Sequence, residues 1–331
     1  MNANPASVSA AMSASRQTRM LRTAMGPVIA AALDDPDVVE VLLNPDGSLW
    51  LDRLSAGRAP TGDSLSAADA ERIIKVIAHH VGQEINARTP ILSAELPETG
   101  ERFEGVLPPV TQLPAFAIRK RASLVFTLDR YVADGILAPD AADALRQAVR
   151  DRQNIVIAGG TSTGKTTLAN ALLDEIAKTG DRLIFIEDTR ELQARSDDQV
   201  ALRTKAGVAS MAELVRSTLR LRPDRIVIGE VRGAEALDLL KAWGTGHPGG
   251  VATVHAGSAA GALHRLEQLI LEAVVTVPRA LVAEAVDVVV FIAGRGASRR
   301  VREVVSVQGL TPDGYQLQPL CPRPALKGDH P

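Results

Sequence analysis

The chain has 331 residues, enough for two domains of ordinary size, each with its own core. Its 46% hydrophobic and 23% charged residues are the balance of a globular protein, while a net charge of −2 and 3% aromatics give no basis for a nucleic-acid groove or a base-stacking platform. A single cysteine, Cys321, excludes an internal disulfide framework and a multi-cysteine zinc site, and no run of about 18 apolar residues is present to span a bilayer.

In chain order, residues 1–16 are small and polar with almost no charge and predict a disordered tail. Leu21, Met25, Ile29 and Leu33 recur at helical spacing and predict a helix over 17–33. Within it, the apolar stretch Met25–Leu33 is interrupted by Gly26 and Pro27 and lacks the features of a secretory signal, so a cytoplasmic location is expected. A β-hairpin follows at 38–51 around Asn44-Pro45-Asp46-Gly47, then a helix at 66–82 entered through Ser66. Strands at 91–95, 103–107 and 115–119 complete a small α+β domain over 17–121. Residues 122–137 read as a linker. From 138 to 320, strands at 154–158, 182–187, 226–230, 250–255 and 286–292 alternate with helices, the pattern of an α/β domain with a parallel sheet. A late hairpin at 301–308 and 315–319 turns across Thr311–Gly314, and an irregular tail runs over 321–331.

The strand at 154–158 leads into Gly159-Gly160-Thr161-Ser162-Thr163-Gly164-Lys165-Thr166, a match to G-x-x-x-x-G-K-[ST], followed by Thr167 and an apolar helix. Glycines let successive amides point inward at phosphate oxygens, and the helix N-terminus adds its partial positive charge. Lys165 suits the β- and γ-phosphates of a nucleotide, and the Thr166 hydroxyl suits Mg²⁺. Hydrolysis needs more, and three further strand ends offer it. One strand ends in Glu187-Asp188, with Glu191 one helical turn beyond; another ends in Glu230; a third delivers His255. Ligands gather at the carboxyl ends of strands in open α/β sheets. A basic group, Arg295, Arg299, Arg300 and Arg302, reads as a solvated or membrane-facing patch.

These segments resemble the secretion ATPase superfamily and, within it, the conjugal-transfer ATPases of type IV secretion, close to the TrbB branch. The phosphate loop at 159–166, the acidic box Ile186–Leu192, the Walker B segment Leu219–Gly233, and Thr245–Gly250 running into Thr253–Ala256 stand in the family order. Gly100–Gly105 and Ile118–Lys120 extend the likeness into the N-terminal half. The resemblance implies a RecA-like C-terminal domain with a smaller α+β N-terminal domain, holding ATP and Mg²⁺. It implies a homohexamer at the cytoplasmic face of the inner membrane, in peripheral contact with it and docked on components of a type IV secretion channel. It also implies that Arg102 and Arg119 reach the nucleotide phosphates and that His255 senses the γ-phosphate. Glu187 is the choice for orienting water and Glu230 for organising the metal shell with Asp188, although the two glutamates could exchange roles. The missing cysteine quartet, found in many type II secretion and pilus-assembly relatives, points towards type IV secretion; a pilus-assembly or retraction ATPase is the alternative, and the near-neutral charge points away from a nucleic-acid motor.

Overall fold

The computed structural model describes residues 20–96, 99–121, 126–205 and 207–321. The expected tails at 1–16 and 321–331 lie outside these residues, apart from Cys321. The chain divides into two compact units between Ser123 and Leu124.

In the first unit the helix expected over 17–33 is two pieces. Residues 20–25 are helical, Gly26 takes a positive φ of 83°, and α1 begins at Pro27 and runs to Asp34. Proline has no N–H to continue the earlier turn, and it fits the first position of a new one. Leu21, Met25, Ile29 and Leu33 are nevertheless all buried. Strands β1 (Val38–Leu43), β2 (Ser48–Arg53), β3 (Gly57–Ser64), β4 (Ile91–Glu95), β5 (Arg102–Val106) and β6 (Ala115–Arg119) form a six-stranded antiparallel sheet in the order β3-β2-β1-β6-β5-β4. The polar edge strand β3 gives no apolar alternation in sequence, and its Pro60 suits an edge. Helix α2 (Ala67–His80) is capped by Ser66, whose hydroxyl accepts from Asp69 N–H, and buries Ile73, Ile74 and Ile77 with the sheet residues Val41, Leu92, Phe103 and Ile118.

The other sheet face carries charge. Across the strands, Glu95 pairs in register with Arg102, Arg102 with Arg119, Arg119 with Glu40, Glu40 with Asp52, and Asp52 with Arg58. Directly opposed residues share a face, so this is one continuous row of ionic side chains.

The second unit opens inside the expected linker. Residues Leu128–Ala133 form helix α3, capped by the Thr127 hydroxyl, with Leu128 and Tyr131 buried, so the linker does not extend to 137. After α4 (Pro139–Arg150) come β7 (Ile155–Gly159), α5 (Lys165–Ala177), β8 (Leu183–Glu187), β9 (Gln199–Arg203), α6 (Met211–Thr218), β10 (Arg225–Ile228), α7 (Glu235–Gly244), β11 (Val251–His255), α8 (Ala259–Ile270), α9 (Arg279–Ala285), β12 (Val288–Ala293), β13 (Arg300–Thr311) and β14 (Gly314–Pro319). The eight-stranded sheet runs β14-β13-β12-β7-β11-β10-β8-β9. Strands β7 to β12 are parallel, and β13 and β14 add an antiparallel edge hairpin. The expected hairpin and core strands are present. The strand expected over 226–230 stops at Ile228, and the edge strand β9, with only the short apolar run Val200–Leu202, was not expected. Alternate residues of β7 enter opposite cores: Ile155 and Ile157 pack with α3, α4 and α5, and Val156 and Ala158 with α6 to α9. The sheet is thus covered on both faces, as parallel sheets require.

Under the amino ends of the strands lies a buried ionic cluster. The Arg225 guanidinium, 1% exposed, pairs with Asp181 at 2.6 Å and donates to the carbonyls of Val149 and Gly249. Those partners precede β8, β7 and β11, so one side chain ties together the roots of the strands whose far ends carry the acidic residues and His255.

Candidate functional site

The phosphate-loop segment folds as its residues dictate. Strand β7 ends at Gly159, where a Cβ would stand 2.5 Å from the Ile292 carbonyl oxygen of β12. Gly164 is the N-cap of α5 at φ 95°, with no side chain capping the helix. Ser162 also takes a positive φ, 61°, an uncommon conformation for a residue with a side chain and one that concentrates at functional sites. The Gly160 carbonyl accepts from the Thr163 hydroxyl at 2.9 Å and from Lys165 Nζ at 3.0 Å. Thr161 offers its carbonyl to Arg295 Nε, and Thr167 lies half-buried on the first turn of α5. The first amides of any helix lack intrahelical acceptors, so this uncapped end is chemically a fit for an anion.

Three strand ends converge here. His255, last residue of β11, places Nε2 3.4 Å from Lys165 Nζ and 3.0 Å from Glu230 Oε1. An ionised carboxylate can only accept, so in the 3.0 Å contact Nε2–H donates to Glu230. Glu230, in the loop two residues beyond β10, also holds Arg232 at 2.6 Å. Burial opposes ionisation of Glu230, but the Arg232 hydrogen bond and charge, with His255 and Lys165, outweigh it and hold the carboxyl below its ordinary value. For His255, burial and then the Lys165 charge push the imidazole below its ordinary value, against the pull of Glu230. At neutral pH the ring is therefore uncharged.

Glu187, buried at the end of β8, accepts two backbone N–H bonds at 2.8 Å, from Glu191 and Leu192. These bonds curl residues 188–192 into a loop, so the helical turn expected between Glu187 and Glu191 is absent. The curl brings the Glu191 carboxylate to the Thr166 hydroxyl at 3.1 Å. Asn170 of α5 reinforces it, donating to the Glu191 carbonyl and accepting from Gln193 N–H. Asp188 accepts from the Thr204 hydroxyl and pairs with Arg232 at 3.2 Å. Thus the carboxylate that meets Thr166 is that of Glu191, while Asp188 and Glu230 share Arg232. Among the described residues no cluster of three or more His, Cys, Asp or Glu forms a closed metal cage. A hydroxyl beside one carboxylate is instead the sparse, hard oxygen set that suits Mg²⁺.

A family model described as "Type II/IV secretion system protein" matches residues 70–301. The chain belongs to that family. The probable conjugal transfer protein TrbB of Sinorhizobium fredii is 49% identical over 92% of this chain and 93% of its own length. The type IV secretion system protein PtlH homolog of Bordetella bronchiseptica is 32% identical, covering 84% of this chain and 93% of that one. The solved structure of the Legionella pneumophila ATPase DotB aligns with a TM-score of 0.60 at 17% identity over 83% of this chain and 78% of that chain, a likeness of fold.

Within this secretion ATPase framework, the structure groups Lys165 with His255 and Glu230, and Thr166 with Glu191. Arg102 and Arg119 sit opposite each other on neighbouring strands of the first unit. Sequence reading named Glu191 only within the acidic cluster beyond β8, without a role, and did not single out Arg232 for the site. Glu191 stands inside the acidic box, but only the loop drawn in by Glu187 shows which of the box's acids meets Thr166. Among the described residues, no helix is long and apolar enough to cross a membrane.

Proposed function

We propose that this chain is a Mg²⁺-dependent ATPase that works as a homohexamer at the cytoplasmic face of the inner membrane, in peripheral contact with it, and powers conjugative type IV secretion. The supporting observation is the convergence of Lys165, His255 and Glu230 at the phosphate loop, with Thr166 and Glu191 beside it. The relatives named as conjugal transfer and type IV secretion proteins supply the biological setting.

In this reading the loop amides of 159–167 and Lys165 grip the phosphates, with Lys165 exchanging the Gly160 carbonyl for a phosphate oxygen. Thr166 and Glu191, with Glu230 and Asp188 behind them, would hold Mg²⁺, which when bound neutralises phosphate charge. Glu187 fixes the loop that carries Glu191, and a carboxylate of this pair orients the attacking water. His255, neutral and anchored by Glu230, presents itself to the γ-phosphate. Arg102 and Arg119 stand side by side in the charged row of the first sheet, between Glu95 and Glu40. In this reading the pair supplies guanidinium donors for nucleotide phosphate oxygens. The test is phosphate release by the purified chain and its Lys165→Ala variant. Turnover lost in the variant supports the reading, and turnover equal to the parent's refutes it.

A further inference from the structure

Two arginines of the basic group at 295–302 meet the phosphate loop, Arg295 from an exposed position and Arg299 from a half-buried one. The connection from β12 to β13 is tight: Ser298 N–H donates to the Arg295 carbonyl, and the Ser298 hydroxyl accepts from Arg295 N–H at 3.1 Å. From this turn Arg295 Nε donates to the Thr161 carbonyl at 3.2 Å. Arg299 packs against Gly164. A Cβ built on that glycine would stand 3.1 Å from Arg299 Nε and 3.2 Å from its Cζ. Because Gly164 has no side chain, nothing stands between this guanidinium and the turn that opens α5.

Two buried polar atoms in this corner have no hydrogen-bond partner among the described residues: Arg299 Nε and the Tyr131 hydroxyl. Tyr131, in α3, is 1% exposed, and the Arg299 charge reaches its phenol. A guanidinium Nε can only donate, so Arg299 needs an acceptor that the described residues do not supply at that atom. Strand β12 flanks β7 on one side, and β11 with His255 on the other. The cationic groups therefore stand on both sides of the loop: Lys165 beside β11, and Arg295 and Arg299 beside β12.

We propose that Arg299 is a nucleotide-binding residue whose guanidinium donates to a phosphate oxygen from the β12 side of the loop, with Arg295 steadying the loop through the Thr161 carbonyl. The proposal rests on the nucleotide reading above. Charge-assisted bonds from a guanidinium to phosphate are strong and directional, so the loss should be measurable.

The experiment is calorimetric titration of the full chain with ADP and Mg²⁺, comparing the parent with Arg299→Met, Arg299→Lys and Arg295→Gln. Arg299→Met keeps the aliphatic stem and should raise Kd about tenfold or more, the usual weight of a hydrogen bond to a charged group. Arg299→Lys restores charge without the fork and should fall between, and Arg295→Gln should weaken binding less. In turnover assays KM should rise in Arg299→Met while kcat stays within about threefold, the mark of lost ground-state binding. An Arg299→Met Kd within about twofold of the parent's, on the scale of one such bond, overturns the proposal. So does a loss of affinity that only tracks a fall in the urea midpoint and that Arg299→Lys does not partly restore. A parent chain that fails to bind ADP at all overturns the nucleotide reading itself.

Discussion

Replacing Asp181 with alanine should unfold the second unit far more easily than its place outside the site suggests. In Asp181→Ala the Arg225 guanidinium keeps its bonds to the Gly249 and Val149 carbonyls but loses its carboxylate at 2.6 Å. At 1% exposure no solvent reaches the charge left behind. Breaking a buried pair from one side costs about 3–5 kcal/mol. Arg152 loses Asp181 as well, but its side chain is 44% exposed and is taken over by water, adding little. At about 2–4 °C per kcal/mol for a unit of this size, the midpoint falls by about 6–20 °C. The assay is thermal unfolding, with urea unfolding for the free energy, both followed by the fluorescence of Trp243, which is buried and donates to the Ile226 carbonyl beside Arg225. Arg225→Met added to Asp181→Ala should recover much of the loss, since both charges then leave the interior. The sign with pH follows from Asp181. Burial raises its pKa, but Arg225, Thr179 and Arg152 outweigh that and hold it below the ordinary 3.8. Its stabilisation is therefore complete above the unfolded value and lost as pH falls through the lower folded one, so parent and variant converge only in acid. A loss under about 1 kcal/mol, or a double variant no better than the single, would refute the reasoning.

Glu191→Gln should lower turnover about a hundredfold or more and raise the Mg²⁺ concentration for half-maximal phosphate release; an unchanged Mg²⁺ titration would remove Glu191 from the metal side of the site. Because Glu230 raises the His255 pKa against burial and Lys165, Glu230→Gln should move the imidazole titration to lower pH, and with it any acid limb of kcat/KM. Histidine NMR checks this, and an upward shift contradicts it. Gly159→Ala puts a Cβ 2.5 Å from the Ile292 carbonyl and should cost about 1–3 kcal/mol in urea unfolding, with loss of ADP binding; a neutral result would mean that the β7–β12 contact yields.

Much of the fold was readable because apolar periodicity and turn residues agree. The run Ile155–Ala158 could only be a strand buried on both faces, and Ser66 could only start a helix. The failures have physical causes. Strand β3 is a polar edge held by ladder bonds, and β9 shows only a three-residue apolar run, Val200–Leu202, too short to mark a strand. The helix over 17–33 kept its apolar face and lost its continuity, because Gly26-Pro27 can bend a helix without moving the side chains that face the core. The glycines at 244–250 allow a close approach: a Cβ on Gly250 would stand 2.4 Å from the Ile226 carbonyl oxygen. The loop packs on backbone and on Asn154, whose Oδ1 accepts the amides of Gly249 and Gly250. Within the site, the phosphate loop is a local signal and was legible whole. The division of labour among Glu187, Asp188 and Glu191 depends on which carboxylate captures the two loop amides, and only the folded chain decides that.

The place of β7 in the sheet also has a consequence for how the protein is made. Its two partners are β11 and β12, which end at residues 255 and 293, whereas the strand next made after it, β8, lies beyond β11 and β10. A ribosome that has finished the phosphate loop at Thr166 must therefore add about 90 further residues, through His255, before either edge of its strand is paired. Throughout that interval Ile155-Val156-Ile157 is an open, sticky template of the kind that chaperones shield. Nascent chains arrested before residue 251 should accordingly hold no nucleotide. Release between 255 and 288 should leave β7 paired on one edge, so binding competence should arrive with the emergence of β12.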